Sequence, residues 1–230
     1  MSNQGKIESF FYRSLENEVN EKMLDDFSYN IPLTLLRNYI KSLLEIPFEE
    51  FLYFIISWDY PQITTEDMTQ SSSFSAAEIE MCNLFIENDN PGYSFEEIGR
   101  LFPHYCKSQT EYALRKYGEN QIKTSKQLGL AFPYYSSWYL SCFGYIYIEL
   151  SQSERDAFIA RSILRDPFYG TIIRDLISSD ITINNYLRGL SDKTIHRRTP
   201  GILRILKFAI TAAKSENINL HQVFRIIPPQ

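Results

Sequence analysis

The sequence predicts a mainly α-helical protein: an acidic helical region over 1–73, then tandem three-helix modules with small β-wings over 74–150 and 151–230. Three observations predict it. Amphipathic stripes fill the first 60 residues, a Ser-x-x-Glu start signal recurs from Ser75 to Glu154, and one aromatic stretch in the middle has no helical period.

In "IPLTLLRNYIKSLLEI" the apolar residues Leu35, Leu36, Tyr39, Ile40, Leu43 and Leu44 form one wide helical stripe. Pro32 suits a first helical turn and Pro47 opens the next segment. That segment, "FEEFLYFIISWDY", is apolar on more than one face, which suits either central burial or a shared surface. "PQITTEDMTQSSSFS" is polar, serine-rich and aperiodic, the natural linker.

Ser75 with Glu78, Ser94 with Glu97, Ser108 with Glu111 and Ser151 with Glu154 each precede an apolar run. In such a capping box the serine accepts from the N3 amide while the glutamate accepts from the serine's own amide. Helices are therefore expected to start near Ala76, Phe95, Gln109 and Gln152, with a break near Gly118. Between the last two starts, "GLAFPYYSSWYLSCFGYIYIEL" predicts a hairpin of "LAFPYY" against "WYLSCF". Helix, helix, helix, hairpin is the order of a winged helix-turn-helix.

The pattern repeats from Ser151. "SERDAFIARSILRD" is a helix that Pro167 interrupts, and "FYGTIIRDLISSD" and "TINNYLRGL" follow. Gly189 ends one helix and Ser191 caps the next, on which Ile195, Ile202, Leu206 and Ala209 oppose Lys193, Arg197 and Arg204. The tail "INLHQVFRIIPPQ" supplies one strand of a second wing.

Charge is unevenly spread. Residues 1–100 carry a net −12 and residues 101–230 a net +7, within an overall −5. Such asymmetry points to a nucleic-acid-facing half, or to two halves that attract each other. No run of eighteen apolar residues occurs, the first residues lack a signal-peptide pattern, and three scattered cysteines suit buried thiols; a cytoplasmic location is expected.

The basic residues concentrate in two places. Lys123 and Lys126 share a helical face suited to phosphate contact. Arg115 and Lys116 precede Gly118, where they either contact phosphate or complement a helix C-terminus. Lys193, Thr194, Arg197, Arg198 and Arg204 lie on the last helix, whose start a winged helix presents to the major groove; arginine there can pair bidentately with guanine. Tyr134, Tyr135, Trp138 and Tyr139 crowd the hairpin, mostly as packing, with base stacking on single-stranded or distorted DNA as a variant.

At "RKYGENQIKTSKQLGL", "LSQSERDAFIARSILRDP" and "LSDKTIHRRTPGILRIL" the sequence resembles the paired winged-helix modules of bacterial restriction–modification and related phage-defence proteins. The matching pieces are "YGEN" with Lys123, "LGL" entering the wing, the "LS...ER" helix start and "LS..TI.RR", over roughly residues 74–215. Such modules are often appended to a nuclease or methyltransferase. One departure is Thr199-Pro200-Gly201, where those modules run a continuous helix. Proline removes the amide bond to the His196 carbonyl, so the last helix is expected either to kink or to shorten to "SDKTIHRR".

Catalytic patterns are absent from the sequence. No Asp/Glu-x-Lys occurs for a restriction-type nuclease, Asp59 with Glu66 and Asp67 has no lysine nearby, and His104, Cys106, His196 and His221 form no zinc spacing. Phosphate-binding glycine loops are missing too. The expected function is a non-catalytic duplex DNA-binding subunit or regulator without cofactor, with a nuclease, methyltransferase or ATPase partner held through residues 1–73. The alternative is a winged-helix adaptor, in a kleisin-like or scaffold role, that docks onto a catalytic partner without reading DNA.

Overall fold

A hydroxyl side chain opens five of the helices by one local device. Ser2, Ser94, Thr110, Ser141 and Ser151 each accept a hydrogen bond from the backbone N–H three residues on, which satisfies one of the donors a helix start leaves without a partner. At Ser94 and Ser151 the reciprocal glutamate bond completes the capping box. The computed structural model describes residues 2–25, 33–62, 76–102, 108–178 and 183–212. They form α1 (Asn3–Phe11), α2 (Ser14–Asp25), α3 (Leu33–Leu44), α4 (Phe48–Ile56), α5 (Ala76–Glu87), α6 (Phe95–Leu101), α7 (Glu111–Gln127), β1 (Ala131–Tyr134), β2 (Ser137–Leu140), α8 (Cys142–Tyr147), α9 (Gln152–Arg165), α10 (Pro167–Ser178) and α11 (Asp192–Ala212), with a 3-10 turn at Ile183–Leu187. The protein is mainly helical. The linker stretch from residue 63 to Ser75, Pro32, His104, Cys106 and the tail strand with His221 lie outside the described residues.

Three boundaries differ from expectation. α7 starts two residues late because Thr110, rather than Ser108, makes the cap. It then runs unbroken through Gly118. A Cβ at Gly118 would stand 1.9 Å from the Phe95 carbonyl oxygen, and one at Gly99 would stand 2.0 Å from that of Leu114. Both glycines therefore serve the close approach of α6 to α7, and neither ends a helix. The hairpin is also shorter than expected: Ser141 caps α8, so Cys142 and Phe143 are helical.

α11 is continuous, so the shortened form is excluded. Pro200 and the His196 whose carbonyl it leaves without an amide donor are both exposed, on the face away from Ile202, Ile205, Leu206 and Ala209. Water can serve that carbonyl, and the buried side of the helix keeps its own bonds. Thr199 Oγ1 also donates to the Ile195 carbonyl at 2.8 Å.

α7 ends in a Schellman motif. Gly129 adopts φ +78°, its amide donates to the Lys126 carbonyl at 2.9 Å, and the Leu130 amide donates to that of Ser125 at 2.8 Å. The chain then enters β1, which pairs antiparallel with β2 in the register Ala131 with Leu140 through Tyr134 with Ser137. Tyr93, between α5 and α6, adds an isolated antiparallel bridge to Trp138.

A single apolar cluster runs through the described residues, from Ile7 and Phe10 in α1 to Ala209 in α11. α4 packs on α9 and α10, α3 on α8 and α9, and α11 on α9. Phe10 meets Phe51, Phe143 and Phe158 with ring centroids 6.2–6.5 Å apart. Two buried arginines of α9 fasten the N-terminal helices. Arg161 donates to the Leu44 and Ile46 carbonyls at 3.1 and 2.7 Å and lies over the Phe51 ring. Arg165 pairs with buried Glu16 at 2.7 Å and sits 4.3 Å from the Phe10 ring centroid. Tyr60 donates to the Leu164 carbonyl at 2.5 Å. Part of the charge asymmetry between the halves is thus neutralised inside the fold.

Candidate nucleic-acid interface

Helical spacing sorts α7 into two faces. Leu114, Gly118, Gln121, Ile122 and Ser125 turn inward and are buried. Arg115, Lys116, Lys123 and Lys126 are exposed on the other side with Tyr112, from which they stand three, four, eleven and fourteen residues on. Glu119 interrupts the stripe, taking Lys116 and Lys123 at 2.7 Å each. Hydrogen bonds from those two ammonium groups hold its carboxyl below the usual range. Because the helix continues past Gly118, Arg115 and Lys116 are mid-helix and do not complement a C-terminus. Lys126, in the last turn, does.

Glu119 holds two of the four cations a polyanion would need. Glu119→Gln should release both lysines and raise the net charge by one. For a chain that binds a duplex through α7, tighter binding at low salt, with the gain shrinking as salt rises, is the expected result in an anisotropy titration.

α11 shows the same division. Lys193, Arg197 and Arg204 are exposed on one stripe, opposite buried Ile202, Ile205, Leu206 and Ala209. His196, which beside two arginines suits phosphate contact or nothing, is exposed on that face too, and so is Lys207, which sequence reasoning missed. The i, i+3, i+4, i+7 spacing that found the first three would have found it. From Lys193 to Lys207 the stripe runs about 21 Å at 1.5 Å per residue. Arg198 and Thr194 stand at its flank. Burial lowers the Arg198 guanidinium, Arg197 lowers it further, and Tyr169 acts in the opposite direction. Thr194 Oγ1 lies 3.0 Å from Ser191 Oγ, within the helix start. α7 and α11 approach each other at a small cavity lined by Thr124, Gln127 and Leu128 on one side and Ile205 on the other.

Beside the α7 stripe stands the hairpin, whose tip carries Tyr135, 91% exposed and in the left-handed region at φ 49°. Its ring meets that of Tyr134 at 4.5 Å. A cleft of about 550 Å³ separates β1 from α2, with Lys126 at its edge. Among the described residues no group of three His, Cys, Asp or Glu could hold a metal, and no helix is long and apolar enough to cross a membrane. Cys82 and Cys142 are buried, and burial pushes both thiols up.

The chain matches no family model, no curated protein and no solved structure.

Proposed function

We propose that the protein is a non-catalytic duplex DNA-binding subunit or regulator, built from winged-helix modules, in a bacterial restriction–modification or phage-defence system. The observation that carries this is the pair of exposed cationic stripes on α7 and α11. The element order adds support. α5, the Tyr93 bridge, α6, α7 and the hairpin follow one another as the parts of a winged helix do, with α7 in the place of the groove-facing helix. The second module would use α11 in the same way. Region 1–73 would hold a nuclease, methyltransferase or ATPase subunit, and Tyr12 and Tyr53, both largely exposed, favour a protein surface there.

Substitution in the intact chain tests the reading. Lys123→Ala should weaken binding to all duplexes alike and lower the salt slope by about one unit, as loss of a phosphate contact does. Arg197→Ala should weaken a preferred sequence more than random DNA, because a bidentate base contact carries roughly 1–3 kcal/mol of discrimination. Salt titration on both DNA types separates the two. Uniform loss at Arg197 would remove sequence reading by α11. Absence of duplex binding by the intact chain at micromolar concentration would favour the adaptor.

A further inference from the structure

The cleft between α2 and β1 has a built chemistry that the cationic stripes leave unused. Its apolar wall is Ala131, Phe132, Pro133 and Tyr134; its polar wall is the start of α2. On that helix Glu16 and Asn20 form one i, i+4 pair and Asn17 and Glu21 another, so a carboxylate neighbours a carboxamide twice over. The inner pair is fixed. Glu16 Oε2 is held by the buried Arg165 guanidinium at 2.7 Å. Asn20 Oδ1 accepts the Cys142 amide at 2.9 Å, and its Nδ2 has no hydrogen-bond partner among the described residues although the residue is 5% exposed and lines the cleft. Cations flank the mouth: Lys126 from the α7 stripe, and Arg13, which occupies the left-handed region at φ 56°. A non-glycine residue held there carries strain of a kind that gathers at ligand sites.

An aromatic wall, hydrogen-bonding groups opposite it and a cation at the mouth fit a flat heteroaromatic base carrying a phosphate. The volume suits a small ligand, since such pockets span about 300–1,000 Å³. Polarity selects among the bases. Guanine offers N1–H and N2–H₂ donors beside the O6 acceptor, which matches a carboxylate next to an amide donor. Adenine presents an acceptor at N1, which a carboxylate repels.

We propose that this cleft binds one unstacked guanine nucleotide: the base lies against Phe132 and Tyr134, the exposed Glu21 carboxylate accepts from N1–H and N2–H₂, and Asn20 Nδ2 donates to O6. Lys126 takes the phosphate. The proposal deepens the DNA-binding reading and rests on it as regards the source of the base, which is a nucleotide extruded from DNA lying along α7. The exposed Tyr135 beside the cleft is placed to fill the gap such a base leaves.

The experiment uses the intact chain with three fluorescent duplexes, one fully paired, one with a single unpaired guanine and one with a single unpaired adenine, and with guanosine monophosphate as competitor. The unpaired guanine should bind at least about tenfold tighter than the paired duplex, the scale of one stacked base. The unpaired adenine should gain little. Asn17→Trp, at an exposed helical position, should fill the mouth and abolish the preference while leaving paired-duplex affinity unchanged. Removal of the preference by guanosine monophosphate would support the base site and show that it also accepts a free nucleotide. Equal affinity for all three duplexes, with no effect of the nucleotide, would overturn the cleft and leave duplex binding standing. If no duplex binds, the DNA-binding reading fails, and direct binding of guanosine monophosphate, lost in Asn17→Trp, then decides the cleft by itself.

Discussion

Glu16→Ala should destabilise the protein by about 3–5 kcal/mol, the usual cost of leaving one member of a buried ion pair alone. The pair is deeply enclosed: the Arg165 and Glu16 side chains are 1% and 3% exposed. Burial pushes the guanidinium down to about 10, and Glu16 is the first group opposing that shift. Arg165 thus keeps its charge at neutral pH and, without Glu16, would hold it among Phe10 and Phe143 with the Phe10 carbonyl as its acceptor among the described residues. Urea unfolding of the variant measures the loss. The paired replacement Glu16→Leu with Arg165→Met should recover most of it, since a buried pair replaced by apolar groups of similar volume is often near neutral. A loss below about 1 kcal/mol for Glu16→Ala would mean that water already reaches the pair.

Gly118→Ala should also destabilise, against the ordinary preference of helices for alanine by about 1 kcal/mol. The new methyl would meet the Phe95 carbonyl oxygen at 1.9 Å and the Gly99 amide nitrogen at 2.8 Å. Both are backbone atoms, so no side chain can rotate out of the way and α6 must move bodily. Overpacking of this kind costs about 1–3 kcal/mol. Thermal unfolding gives the sign directly, and a raised midpoint would show that the two helices do not approach so closely.

Most helix starts, the helix faces and the hairpin were legible in the sequence; contacts between distant elements were not. The caps at Ser94 and Ser151 are short-range hydrogen bonds between residues three apart, so spacing alone revealed them. The cationic faces of α7 and α11 followed from helical period. Gly118 misled because propensity reads a glycine as a break, whereas here the deciding neighbour is another helix. α8 was missed because Ser141 sits among aromatics that favour a strand, although its hydroxyl accepts the Gly144 amide. Pro200 was legible as a perturbation but not as a tolerated one, which depends on the side of α11 that faces solvent. The α2 cleft was invisible, since its two walls are brought together by contacts such as Asn20 with Cys142, 122 residues apart.

The shared core also sets a schedule for synthesis. Glu16 meets Arg165 only after a further 149 residues have been added. At roughly 5–20 residues per second the ribosome needs about 7–30 s to make them. For that interval α1, with Phe10 and Phe11, has no α9 to cover it, and its apolar face is open to other nascent chains. The first helices of this protein must therefore wait for α9 before their buried ion pair can close.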